Sequence, residues 1–246
     1  MSEAVTRDWF DAWADEYDDI IPRVPEYQML VNNIVEYAGV KDGDVVLDIG
    51  CGTGFLSLKF VDAAKCKLTA IDLSGEMLAV FRDKLNRLRN EGYDFMNRIE
   101  LRPGNAVNLP FRDEAFDIVA SSAVMHHVTP EEKSKALKEI YRVLKPGGKF
   151  LLGELNVDTS GDHNDIKRLE RLMASFTKLL ILLVSACGAG VLDRMFDNTK
   201  KHLLNDGEYA IEIAMWADMC KDVGFDVIRR EVLPSGIWGV LVAKRT

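Results

Sequence analysis

The sequence predicts an α/β fold: a doubly wound, mostly parallel sheet that ends in an antiparallel pair of strands. Three observations carry that expectation. Short apolar runs alternate with helical segments as far as residue 155. The first run ends in a glycine-rich turn, VLDIGCGTG at 46–54. Two late runs are joined only by LPSG. Helices of about 10–15 residues between strands imply right-handed crossovers and a parallel sheet, whereas so short a link makes a hairpin.

The elements follow in order. DVVLDIG (44–50) suits a strand buried on both faces, and FLSLKFVDAA (55–64) has helical character. KLTAID (67–72) reads as strand, and SGEMLAVFRDKLNRLRN (74–90) as a helix with Ser74 as N-cap. RIELRPGNA (98–106) is a strand running into a loop, and FDIVASS (116–122) is another buried strand. PEEKSKALKEIYRVL (130–144) is an amphipathic helix opened by Pro130 and ended by KPGG (145–148). KFLLGEL (149–155) is the fifth strand. No strand signal appears from 156 to about 206. A last helix over 208–223 ends at Gly224, and DVIRREV (226–232) and IWGVLVAK (237–244) form the hairpin.

Composition narrows the function classes. A chain of 246 residues can bury one sizeable core. A net charge of -8 argues against a broad nucleic-acid footprint, which needs a basic face; KLNRLRN (84–90) reads as a solvated helix face. The four cysteines, at 51, 66, 187 and 220, have neither CxxC nor zinc-ligand spacing, so a reduced, cytoplasmic chain without a metal is expected. The acidic, aromatic start, MSEAVTRDWFDAWADEYDD, lacks the halves of a signal peptide. LLILLVSACGAGVL (179–192) is the most apolar stretch, but falls short of the ~20 residues that span a bilayer.

The glycine turn brings backbone close to a ligand. Its spacing, Gly50, Gly52, Gly54 and then Phe55, lacks the last glycine of the dinucleotide fingerprint, and no GKS/T follows. Asp48 would repel a pyrophosphate and attract an ammonium. The loop therefore suits a ligand with a ribose and an amino acid. Asp72 ends the second strand, where a carboxylate can accept from ribose hydroxyls. After the third strand GNAVNLPF (104–111) offers Asn105, an amide able to meet an adenine edge, though Gly-Asn is also ordinary turn chemistry.

VLDIGCGTG, AIDLSGEML, GNAVNLPF, FDIVASSAVMHHV and VLKPGGKFLLGE, in this order and spacing, resemble the class I S-adenosylmethionine-dependent methyltransferases. The nearest likeness is to the type 11, small-molecule subgroup that includes quinone-biosynthesis enzymes. It covers about 9–155 and 206–244. The resemblance implies a Rossmann-like seven-stranded sheet whose last strand is antiparallel, in a single domain over 1–246. It implies S-adenosyl-L-methionine as cofactor and S-adenosyl-L-homocysteine as product. Gly50, Cys51, Gly52, Thr53 and Gly54 would lie under the methionine part, with Asp48 near its amino group. Asp72 would hold the ribose, with Leu73 and Met77 packed beside ribose and adenine. Asn105 and Ala106 would meet the adenine edge, and Ser121 and Ser122 would approach the methionine portion. Tyr17 matches a tyrosine that closes over the cofactor carboxylate. Many relatives have Asp where Asn105 stands, which implies somewhat weaker cofactor binding here.

An activated sulfonium methyl needs mainly an aligned acceptor and excluded water. A phenol, hydroxyl or carbon acceptor also benefits from a general base. The candidates are His126, His127, His202, Glu154 and Tyr17; each also has an ordinary packing or surface reading.

Residues 1–40 are expected to form an N-terminal helical lid, and 156–206 a helical insertion. In the insertion Ile166, Leu169, Met173, Phe176, Leu180, Leu183 and Cys187 make a helical apolar seam. Every residue of 179–184 is apolar, so that part should be covered all round. It reads as a cap packed on the core, a lid over an apolar substrate pocket, or a homodimer or membrane-surface contact through 179–192. With Trp9, Phe10, Trp13 and Tyr17 it would enclose a lipophilic or aromatic small-molecule acceptor. A tRNA or protein methyltransferase is the second reading, disfavoured by the acidic pI of about 5.1. A non-catalytic cofactor-binding relative, acting as sensor or assembly partner, is the third. An aminopropyl transferase would need an acidic polyamine pocket that the sequence does not display.

Overall fold

The structure, a computed structural model, describes residues 10–12, 14–93, 97–157, 165–192 and 209–246. Its elements are α1 (Pro25–Ala38), β1 (Val45–Ile49), α2 (Phe55–Ala63), β2 (Lys67–Asp72), α3 (Gly75–Asn90), β3 (Ile99–Pro103) and β4 (Phe116–Ser122). There follow α4 (Pro130–Val143), β5 (Leu144–Leu155), α5 (Ile166–Cys187), α6 (Ile213–Val223), β6 (Phe225–Val232) and β7 (Trp238–Arg245). Residues 10–12 and 14–17 are also helical, and a short 3-10 turn, Ile21–Arg23, leads into α1.

One seven-stranded sheet has the order β3-β2-β1-β4-β5-β7-β6. β1 pairs in parallel with β2 and β4, and β7 is antiparallel to both β5 and β6. The hairpin expected from LPSG is thus present. Alternation along the strands sends side chains to two cores. Val46, Leu68, Ala70, Ile118, Leu151 and Val242 meet Leu30, Ile34, Phe60 and Phe81 from α1, α2 and α3. Leu47, Ile71, Val119, Phe150 and Leu241 meet Leu137, Ile140, Trp216 and Cys220 from α4 and α6. The order in which successive strands are added reverses between β1 and β4, which are themselves parallel. Their carboxyl ends therefore open a crevice, the place where such sheets bind ligands.

Three expectations are corrected. KPGG does not lie between helix and strand. Leu144 is already extended (φ -71, ψ 142), and Lys145–Gly148 begin β5 as an irregularity whose register shifts opposite Phe116 and Ile118. A side chain at 148 would come within 2.9 Å of the Lys145 carbonyl oxygen, so glycine is required there. The last helix begins at Ile213 rather than 208, and the Tyr209 N–H donates to the His126 carbonyl. Finally, 179–184 is not covered all round: Ile181 is 60% exposed, while Leu183 is buried. In the described part of the insertion no strand is present.

Candidate active site

β1 ends at Ile49 and the chain turns through Gly50–Gly54 into α2. Two glycines there are dictated by space. Gly50 (φ 69) would place a Cβ 2.3 Å from the Val124 side chain, and Gly54 (φ 90) one 2.1 Å from the Phe81 ring. Gly54 caps α2, whose first-turn N–H groups have no acceptor within the helix.

Asp72 fixes this turn. Its carboxylate accepts from the N–H of Gly52 (2.8 Å) and of Ser74 (2.9 Å). Ser74, the expected N-cap, accepts from the Met77 N–H at 3.0 Å. Burial raises the Asp72 carboxyl above its usual range, against the lowering effect of those N–H groups. Asp48 is fully enclosed and accepts from the Ser57 hydroxyl at 2.5 Å. Burial, helped by the nearby Asp72 charge, pushes it up to about 7 although Ser57 favours its ionised form. Burial also raises the Cys51 thiol.

A cavity of about 310 Å³ opens on these groups. Asp48, Gly50, Cys51, Gly52, Thr53, Asp72, Leu73, Met77, Asn105, Ala106, Ser122, Tyr17 and His127 all line it. Phe10, Tyr27, Phe55, Leu56, Val124 and Val128 make its apolar side. The Asn105 amide oxygen accepts from the Val107 N–H at 3.0 Å.

The remaining candidates stand elsewhere. Ser121 is buried and donates to the Ile49 carbonyl (3.0 Å), joining β4 to β1. His126 and Glu154 are not part of the cavity lining. Glu154 is fully buried at the end of β5, and one oxygen meets His126 Nδ1 at 2.5 Å. Its oxygens also accept from the N–H groups of Val124, His126 and Leu155. Burial opposes its ionisation, but the imidazole beside it outweighs that and holds its pKa below the usual range. Lys133 is buried nearby, donating to the Met125 and Val128 carbonyls and lying over the Trp216 ring. This set braces the wall that carries His127, whose ring meets Phe10 edge-on at 4.9 Å. His202, Trp9 and Trp13 lie outside the described residues.

Sequence reasoning missed three groups. Tyr27, on α1, hydrogen-bonds Tyr17 and accepts from the Ser122 hydroxyl at 3.2 Å. Nothing in PEYQML marks it. Burial raises Tyr27 to about 12 and Tyr17 well above its ordinary value, so both phenols stay protonated. Asp18 accepts from the Thr53 hydroxyl (2.6 Å) and pairs with Lys84 (2.6 Å), which also donates to the Thr53 carbonyl. Asp11 accepts from the Ser74 hydroxyl (2.5 Å) and the Glu76 N–H (3.3 Å). Asp11 and Asp18 are two helical turns apart, a same-face spacing visible in the sequence. No described residue of the insertion lines the cavity. Among the described residues, no group of three or more His, Cys, Asp or Glu is placed to hold a metal. Nor is any helix there long and apolar enough to cross a membrane.

The sheet order, the glycine turn and the acid ending β2 together define a nucleoside-cofactor-binding α/β protein of the class I methyltransferase type. Residues 47–152 match the type 11 methyltransferase domain, the family that the sequence motifs resemble. Among curated proteins it is similar to the demethylmenaquinone methyltransferase of Symbiobacterium thermophilum, 36% identical over 155 residues, 61% of this chain and 58% of the relative. It is 40% identical over 124 residues to the ubiquinone/menaquinone biosynthesis C-methyltransferase UbiE of Haemophilus ducreyi, covering 50% and 45% of the two chains. The chain thus matches about half the length of these relatives. Among solved structures, the Burkholderia thailandensis 1,6-didemethyltoxoflavin-N1-methyltransferase with bound 1,6-didemethyltoxoflavin and S-adenosylhomocysteine has a TM-score of 0.65 at 17% identity, covering 99% of this chain and 88% of that one. The [4+2]-cyclase SpnF has a TM-score of 0.61 at 18% identity, covering 88% and 80%. At such identities the likeness is one of fold.

Proposed function

We propose that this protein transfers a methyl group from S-adenosylmethionine to a small, lipophilic, aromatic acceptor of the quinol type. The family implies the cofactor, and the residues present fit it. Asp48 and Asp72 give the cavity an acidic floor suited to a cationic amino-acid and ribose ligand. The Asp72 carboxylate accepts from the N–H groups of Gly52, Ser74 and Leu73, which leaves one of its roughly four lone-pair sites for a ribose hydroxyl. Gly52 would present a Cβ to nothing nearer than the Met77 sulfur at 4.0 Å, so the loop leaves room above it. In this reading Leu73, Met77, Asn105 and Ala106 form the adenine side, and Gly50–Gly54 with Ser122 the methionine side.

The observation that carries the acceptor class is the makeup of the cavity. Phe10, Phe55, Val124 and Val128 supply apolar walls, while Tyr17, Tyr27, His127, Thr129 and Glu132 supply its polar handles. Such a chamber holds a flat, apolar ring and orients it through a few hydrogen bonds. The curated relatives named for demethylmenaquinone and ubiquinone/menaquinone point the same way.

When bound, the cofactor supplies an activated methyl whose transfer leaves the electron pair on sulfur. The chain's own groups then divide the work. Tyr17 and Tyr27, kept protonated by burial, cannot serve as bases; one O–H of the pair is spent between them, and the other can donate to a ring oxygen. His127, at the cavity wall, is the group placed to take a phenolic proton. Glu154 and His126 position that wall from behind. Phe10 and Tyr17 line the cavity from the N-terminal segment and would exclude water from it.

The test is calorimetric titration with S-adenosylmethionine and S-adenosylhomocysteine, followed by a turnover screen. Micromolar binding should weaken about tenfold or more in Asp72→Ala, because a hydrogen bond to a charged group is lost. Reduced naphthoquinones should be methylated. Turnover confined to polar amines, tRNA or protein would sink the acceptor assignment; no binding of either cofactor form by the folded protein would sink the whole reading.

A further inference from the structure

We propose that Lys133 is a positioning residue for His127: with Glu154 it clamps the turn that carries this imidazole between a buried cation and a buried anion. The inference rests on the reading of His127 as the base. The buried residues of α4 are Lys133, Ala136, Leu137, Ile140 and Val143. That spacing makes one face of a helix, turned to the core. A lysine heads this face, whose other members are all apolar, and it is only 2% exposed. Taking an ammonium so far out of water costs several kcal/mol. Packing alone does not require it, because methionine is equally unbranched and carries no charge.

Its neighbours supply the reason. Lys133 Nζ donates to the carbonyls of Met125 (2.9 Å) and Val128 (2.7 Å), which flank His126 and His127, and lies 4.9 Å from the centre of the Trp216 ring. Glu154 reaches the same turn from β5. It accepts from the N–H groups of Val124 and His126, both at 3.2 Å, and meets the His126 ring at 2.5 Å. The cation thus gathers carbonyls, and the anion gathers N–H groups, of the one stretch 124–128. Other backbone groups of that stretch are tied as well. The His127 N–H donates to the Val124 carbonyl, the Val128 N–H to that of Met125, and the His126 carbonyl accepts from the Tyr209 N–H. Burial opposes the charge on Glu154; His126 chiefly, and Lys133 with it, keep the carboxyl ionised. A turn held at so many points has little freedom, so His127 lines the cavity from a fixed backbone. A base needs that: a misplacement of about 1 Å can cost about a hundredfold in rate.

The test compares Lys133→Met, Lys133→Gln and Lys133→Arg in the full chain with carbon-13-labelled histidine rings, the His127 signal being assigned by its loss in His127→Gln. In Lys133→Met that signal should shift or broaden. Lys133→Arg, which keeps the charge and the donors, should leave it near its parent position. With reduced 1,4-naphthoquinone as acceptor, Lys133→Met should lose about a hundredfold in kcat with little change in KM. Calorimetric binding of S-adenosylhomocysteine should stay as in the parent, because Asp72 and the glycine turn lie on the other side of the cavity. Lys133→Gln keeps a neutral donor and should show the same changes to a smaller degree, which serves if Lys133→Met does not fold. An unmoved His127 signal in either folded variant would overturn the proposal. So would a loss of S-adenosylhomocysteine affinity as large as the loss in kcat, the mark of a support for the whole fold, and so would parent-like kcat in His127→Gln. A parent that binds S-adenosylhomocysteine yet leaves reduced 1,4-naphthoquinone unmethylated would sink the acceptor assignment instead, and the His127 signal would still decide the clamp.

Discussion

The two sides of the cavity are held by different physics. The side proposed to bind the cofactor is fixed by main-chain geometry: glycines with no room for a Cβ beside Val124 and Phe81, and backbone N–H groups gathered by Asp72. The covering side, residues 10–12 and 14–23, rests on side-chain contacts: Asp11 with Ser74, Asp18 with Thr53 and Lys84, and the buried Ala14 and Ile20. The first arrangement has no slack and tolerates little change. The second can be remade each time a ligand enters or leaves. Between them, Glu154 braces the wall from inside the core.

That contrast can be tested by removing one support at a time. The largest loss of stability is expected at Glu154. Leu there would leave His126 without its carboxylate and three N–H groups without an acceptor, costing about 3–5 kcal/mol. Glu154→Gln keeps an acceptor oxygen and should cost clearly less. Urea unfolding of both would decide; equal stability of Glu154→Leu and the parent would show that the wall does not depend on this pair.

Asp48 tests the cofactor side through pH. Its folded value, about 7, lies above the ordinary 3.8. The folded state therefore keeps a proton that the unfolded chain has released, and stability falls as pH rises through that window. The full span is at most about 4 kcal/mol. Asp48→Asn should match the parent near pH 4 and be the more stable of the two at pH 8, as read by ligand-free thermal melts. Burial of Asp72 adds a slope of the same sign to both proteins, so the difference between them reports Asp48 together with its repulsion by Asp72. A parent no less stable at pH 8 than the variant would mean that Asp48 is ionised at little cost.

How much of this could be read beforehand follows the same division. The strands at 67–72 and 116–122 and the Ser74 cap were legible because local pattern and tertiary role agree there. The glycine turn and Asp72 were legible because main-chain geometry demands particular residue types at a fixed spacing. KPGG misled because Gly-Pro chemistry marks a turn and an irregular strand alike. Tyr27 was invisible because its partners, Tyr17 and Ser122, come from other elements. His126 and Glu154 were found as candidates from their positions at strand ends, yet only the three-dimensional structure shows that they face one another instead of the cavity. For α5, the apolar seam was visible but not its two environments, since periodicity records which residues share a face and not what covers it.

A glycine pair sharpens the same point. Gly54→Ala would force a Cβ into the fully buried Phe81 ring and onto a left-handed backbone, at about 3 kcal/mol. Gly52→Ala meets only the backbone cost, about 1 kcal/mol, because its nearest neighbour is the Met77 sulfur at 4.0 Å. Denaturant midpoints in the reverse order would mean that packing does not fix this turn.

The smallest effect on stability is expected at the cover. Asp18 pairs with Lys84 and accepts from Thr53 in a half-exposed setting, where such contacts are worth under about 1 kcal/mol. Asp18→Ala should therefore melt almost as the parent does. Its consequence should be kinetic and local. With the latch gone, residues 10–23 open more often, and limited proteolysis near the N-terminus should become faster while the rest of the chain stays protected. S-adenosylhomocysteine should slow that cleavage in the parent more than in the variant, because a closed cover needs both the ligand beneath it and the latch beside it. Equal cleavage rates for the two proteins would place the holding contacts elsewhere on the strap, in the buried Ile20 and Val24 that follow it.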